Sequence, residues 1–133
     1  MEVIAFPDVE DLLVVYLTEK LPAYGETATA HTEIPNPRRD RFVVVPRVGG
    51  PVRNLVVDEP TIGVECWAGT PVQAFALARL VRGLLRALPG QTVGGVPFYS
   101  YNEFTGPTNL PDPETTQARY VLTAALTVRG AAL

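Results

Sequence analysis

Histidine, cysteine, tryptophan and methionine occur once each in this chain of 133 residues. A lone cysteine, Cys66, excludes an intrachain disulfide and a cysteine metal cluster. The lone histidine, His31, has no serine or cysteine motif beside it, so a nucleophilic triad would lack a credible base. Charge is scarce too. Charged residues make up 19% and the net charge is −3, so nothing pulls the whole chain towards nucleic acid or an anionic membrane. No apolar run approaches the roughly 18 residues of a membrane span. Residues 1–7 carry Glu2 where a secretory leader carries basic residues, so the expectation is a soluble protein made in a cytoplasm.

Hydrophobic residues, by contrast, make up 47%, an ordinary share for a folded domain. A chain of 14.4 kDa should fold to roughly 6,800 Å² of surface from about 20,900 Å² extended. That buries enough for one domain, residues 1–133, without metals or disulfides. Few charges leave less polar cover for the surface, which favours an oligomer.

The strongest pattern is period-2 alternation over 117–130. Ala118, Tyr120, Leu122, Ala124, Leu126 and Val128 form one face; Gln117, Arg119, Thr123, Thr127 and Arg129 lie on the other. Such a run marks a strand with one side in a core. The proline-rich segment 106–113 before it reads as a stiff loop. Residues 8–21 read as a helix that Asp8 starts and Pro22 ends, with Val9, Leu12, Leu13, Tyr16 and Leu17 on one face. Strands are expected over 27–34, 42–45 and 61–67, with 55–57 a short strand candidate outside that count. Phe42 to Val45 has no alternation and should be covered on both sides. Thr70 and Pro71 start a second helix, with Leu77, Leu80, Val81, Leu84 and Leu88 as its apolar stripe. Residues 93–104 are a further strand region. The expected fold is α+β: a single mixed, mostly antiparallel sheet with both helices on one face, in the order α-β-β-β-α-β-β.

Residues that could carry chemistry each have a plainer reading. Cys66 lies in an apolar strand face with no cation to lower its pKa, as a buried inert thiol does. Gly49-Gly50 and Gly94-Gly95 lack the lysine or spacing of a phosphate-binding loop. Asp58, Glu59 and Glu65 read as a turn and a solvated face. Arg38, Arg39 and Arg41 form a basic loop beside Phe42. Three charges give only a modest salt-dependent affinity for nucleic acid, so an acidic protein partner is the preferred reading. Arg79, Arg82 and Arg86 lie opposite the stripe of the second helix, with Phe75 among them. Two readings stand here: a solvated helix back, or an arginine-aromatic interface.

The segments Arg47-Val-Gly-Gly50, Asp58-Glu-Pro60 and Ile62-Gly-Val-Glu-Cys-Trp-Ala68 come in that order. They are followed by Ala74, Ala78 and Arg79-Leu-Val-Arg82. Gly106-Pro107, Pro111-Asp-Pro113, Arg119-Tyr120 and Val128-Arg-Gly130 complete the run. Together this resembles the tail terminator proteins of long-tailed bacteriophages, over most of the chain. The resemblance implies a virion protein of the head-tail junction, made in the host cytoplasm. It implies a small α/β subunit that forms a homo-oligomeric, hexameric ring. Such a ring caps the tail tube, stops its polymerisation and meets the head connector or stopper protein. It implies no catalysis, cofactor, metal, membrane or direct nucleic-acid binding. Another head-tail joining or head-completion protein is the alternative in the same class. A small ligand-binding or enzymatic α+β domain is the alternative outside it. The interface residues expected from the chemistry of the chain are Arg38, Arg39, Arg41, Phe75, Arg79, Arg82 and Arg86.

Overall fold

Helix α1 spans Val9–Lys20 in the computed structural model, which describes residues 1–133. The Asp8 carboxylate caps it by accepting from the Asp11 amide at 3.2 Å, and Glu10 and Asp11 sit at the positive end of its dipole. A 3-10 turn at Leu21–Tyr24 follows, so Pro22 tightens the exit rather than simply ending the helix. Helix α2 spans Pro71–Arg86, with the Thr70 hydroxyl accepting from the Gln73 amide.

The main sheet is mixed and mostly antiparallel. Its strands are β2 (Thr29–His31), β3 (Phe42–Val44), β4 (Arg47–Gly49), β5 (Val57–Asp58), β6 (Thr61–Ala68), β7 (Thr92–Val93), β8 (Val96–Asn109) and β9 (Ala118–Arg129). A separate pair joins the termini: β1 (Ile4–Ala5) is antiparallel to β10 (Ala131–Ala132). The order across the main sheet is β2-β3-β6-β9-β8-β7, and only β2 and β3 are parallel. Proline explains why several strands are short. Val57 and Asp58 pair with Arg129 and Val128 in the same register that β6 continues along β9, so β5 and β6 are one strand interrupted at Pro60. Pro46 divides β3 from β4 in the same way, after which the register shifts between Arg47 and Gly49.

Both helices lie on one face of this sheet. Val9, Leu13, Leu17, Leu77, Val81, Leu84 and Leu88 join Ile62, Val64, Cys66, Leu122, Ala124, Leu126 and Val128 in one buried core. The Tyr16 hydroxyl ties the helices by donating to the Leu84 carbonyl at 2.7 Å. Two details differ from the helical pattern. Leu80 packs only at the margin of the core, and Leu85, outside the expected stripe, is fully buried. The stripe is therefore wider than a narrow seam and includes Ala74 and Ala78.

The face away from the helices has a smaller apolar cluster of Phe42, Val44 and Trp67. Phe42 and Trp67 are cross-strand partners with stacked rings 5.6 Å apart. This is why β3 is buried on both sides. The total surface is 7189 Å², near the expected value for a single domain. No helix is long and apolar enough to cross a membrane.

The structure corrects the sequence reading in several places, and the strands expected over 27–34 and 55–57 are short, at Thr29–His31 and Val57–Asp58. Gly106 and Pro107 are not part of a loop: β8 runs on to Asn109, and the connection to β9 is shorter. The strand region at 93–104 is a hairpin, β7 to β8, turning at Gly94 and Gly95. The element order also gains the short pieces β1, β4, β7 and β10, which carry too few residues to show a period.

Candidate interaction surfaces

The basic loop is pinned to its own domain. Arg41 donates to both carboxylate oxygens of Glu26, at 2.9 and 2.6 Å. That fork holds Glu26 below its ordinary pKa and raises Arg41. The Arg38 guanidinium lies 5.0 Å over the Trp67 ring, and Arg119 reaches the same ring at the same distance. Gln117 clasps the loop, donating to the Arg39 carbonyl at 2.8 Å and accepting from Arg38 at 3.3 Å. Of the three arginines, only Arg39 leaves its side chain without such a contact.

The α2 face divides similarly. Arg82 forks onto Glu103 of β8 at 2.8 and 2.5 Å. Its hydrogen bonds, more than its charge, hold Glu103 below the ordinary range. The guanidinium also lies over Gly106, where an added Cβ would meet it at 3.3 Å. A residue expected at the helix back thus bridges helix and sheet. Phe75 packs edge-on against Tyr120 at 5.3 Å yet stays 42% exposed. Arg79 and Arg86 are exposed, and neither has an acid within salt-bridge distance.

The expectation that Asp58 belongs to a solvated turn is wrong. Asp58 is 4% exposed. It accepts from Arg47 at 2.7 and 3.3 Å, while Arg47 also donates to the Gly49 and Gly50 carbonyls. The Arg47 amide donates to Glu10 of α1 at 2.6 Å. Gly50 has φ +101°, and a Cβ there would stand 2.6 Å from the Thr61 amide nitrogen. Glu65 is engaged as well, accepting from the Trp67 indole at 3.1 Å, with Arg119 at 4.0 Å.

Sequence reasoning missed Glu26, Glu103 and Gln117 as the residues that organise these arginines. The alternation of β9 did place Gln117 and Arg119 on the outward face. Nothing local signals that Glu103 would meet a helix 21 residues earlier.

One concavity of about 690 Å³ is lined by seven hydrophobic residues among nine, including Val3, Phe6, Val52 and Leu55. A second cleft of about 550 Å³ lies between α1 and the segment after β2. His31 lines it and shares a 2.7 Å hydrogen bond with the Thr29 hydroxyl; burial, then the charge of Arg39, lowers its pKa. Burial first, then the charges of Glu26 and Glu65, push the Cys66 thiol far up, and with no cation to oppose them the sulfur stays protonated and unreactive. Burial, then Glu103, raises Tyr101. No group of three or more His, Cys, Asp or Glu side chains is placed to hold a metal ion. The chain matches no protein-family model and no curated protein.

Proposed function

We propose that this protein is a structural subunit of a phage head-tail junction, resembling a tail terminator. In this reading it forms a homo-oligomeric ring, most simply of six copies, that caps the tail tube, stops its polymerisation and meets the head connector. The observation that carries the reading is the Arg47–Asp58 unit. Arg47-Val-Gly-Gly50 and Asp58-Glu-Pro60, two segments on which the resemblance rests, meet in space through the ion pair and the packing of Gly50 on the backbone of Glu59 and Pro60. They form a brace between α1, β4 and β5 rather than a pocket. A scaffold of this kind fits a protein that presents surfaces.

The test mixes the purified chain with its phage's tail tube protein and follows tube length by electron microscopy. The expected result is arrested growth and a ring of density at one tube end. Tubes that grow to unlimited length, with no end density at saturating protein, would refute the reading.

A further inference from the structure

Two lateral sides of this molecule are chemically complementary. On one side the outermost long strand is β8, and β7 covers only its first two residues. The arginine face of α2 runs along this strand. Phe75 packs on Tyr120, whose β8 partner is Asn109; Arg82 sits at Glu103 and Gly106; the charge of Arg86 acts on Tyr101. Arg82 is neutralised by Glu103, but Arg79 and Arg86 are not paired, and Phe75 stands exposed between them and the helix start.

On the opposite side the sheet ends at β2. The cleft there mixes apolar side chains, Val14, Ala30, Ile34 and Pro35, with polar ones, among them two exposed carboxylates, Asp11 and Glu33. Neither carboxylate has a cation within salt-bridge distance. The charge of Arg39 reaches this side as well and acts on His31.

We infer that the occupant of the β2-side cleft is the Phe75/Arg79/Arg86 face of a second copy of this chain. The unpaired arginines match the unpaired carboxylates, and the aromatic ring can pack on the apolar side chains between them. Arginine suits such a site because its fork engages carboxylates bidentately. The two patches lie on opposite sheet edges, so the contact is head-to-tail. A contact of that kind repeats from copy to copy until it closes into a ring or grows as a filament. The inference supplies the subunit contact for the ring proposed above, and its biological setting rests on that reading.

Disulfide trapping tests the geometry, because the native Cys66 is fully buried and does not react. Glu33→Cys and Arg79→Cys are made singly and together, with Arg53→Cys replacing Arg79→Cys in a control pair. Under mild oxidation at high protein concentration, Glu33→Cys/Arg79→Cys should give a ladder of multimers beyond the dimer. Each single variant should give at most a little dimer, and the control pair no ladder. A second arm uses charge. Arg79→Glu with Arg86→Glu should weaken self-association about tenfold or more, and adding Asp11→Arg with Glu33→Arg should restore it. No ladder above the control, or no rescue by the double reversal, overturns the contact. A ring on tail tubes without a ladder would leave the functional reading standing and sink this contact. A ladder without any effect on tubes would do the reverse.

Discussion

Asp58 shows how far a single residue can depart from its local signal. Flanked by Val57 and Glu59-Pro60, it looks like a turn residue, yet its carboxylate is buried and holds the Arg47 fork. Asp58→Ala should cost about 1.5–3 kcal/mol, the range for a hydrogen bond to a charged group. The lower part of that range is expected, because Arg47 is about a third exposed and regains water. A fall in the urea midpoint at constant slope is the measurement; an unchanged midpoint would contradict the pairing. Glu26 makes a second residue-scale prediction. Its folded pKa is depressed, first by the Arg41 hydrogen bond, below the ordinary value of 4.5. A depressed carboxylate contributes stability that is present above the unfolded value and lost as pH falls through the folded one. The stability difference between the parent and Arg41→Gln should therefore be largest near neutrality and shrink below pH 4.5. Denaturant melts at several pH values would read it, and a difference that grows towards acid would have the wrong sign.

At the scale of elements, helix α2 carries the clearest test. Its apolar side is wide enough that Leu84 and Leu85 are both buried, while Leu80 sits at the core margin. Leu85→Ala should then cost about 2–5 kcal/mol, with Leu80→Ala clearly less, because a partly exposed site loses less transfer energy and leaves a smaller cavity. Thermal or chemical melts of the two variants decide it; equal losses would mean that the helix is rotated from the position described. Strand β8 is the other informative element. It bulges at three places along β9, between Phe98 and Ser100 and twice between Glu103 and Thr108. Bulges twist an open edge away from casual pairing. This is why side chains of the neighbouring helix, rather than the strand's own backbone, are the better candidates for a specific contact on that side.

The whole molecule is one layer of helices on one sheet, with the smaller Phe42/Val44/Trp67 cluster on the far side. That cluster is continuous with the main core through the central strands β3 and β6, so the two should melt together. Trp67 is the only tryptophan, is fully buried and reports on the far side, whereas far-ultraviolet circular dichroism reports on the helices and sheet. The two transitions should coincide in urea, as they do for a cooperative domain. An earlier fluorescence transition would show the Trp67 side opening as a separate unit.

Periodicity alone determined the two helices and strand β9. The alternation of Ala118 to Val128 and the 3- and 4-residue spacings in α1 and α2 each leave one apolar side, and water forces that side inward whatever the partner. The α+β architecture and the helices on one face follow from those stripes. The short strands β1, β4, β7 and β10 were not legible, because two or three residues show no period. The extension of β8 through Gly106-Pro107 was not legible either, since those residues signal a turn unless an Arg82 guanidinium and a partner strand are there to occupy the space. The fate of the arginines belonged to the tertiary structure entirely. Arg41, Arg47 and Arg82 look alike in sequence to Arg39, Arg79 and Arg86. Only the fold brings Glu26, Asp58 and Glu103 within reach of the first three and leaves the others free. Charge pairing depends on distances of a few ångströms between residues far apart in the chain, and no local pattern encodes those.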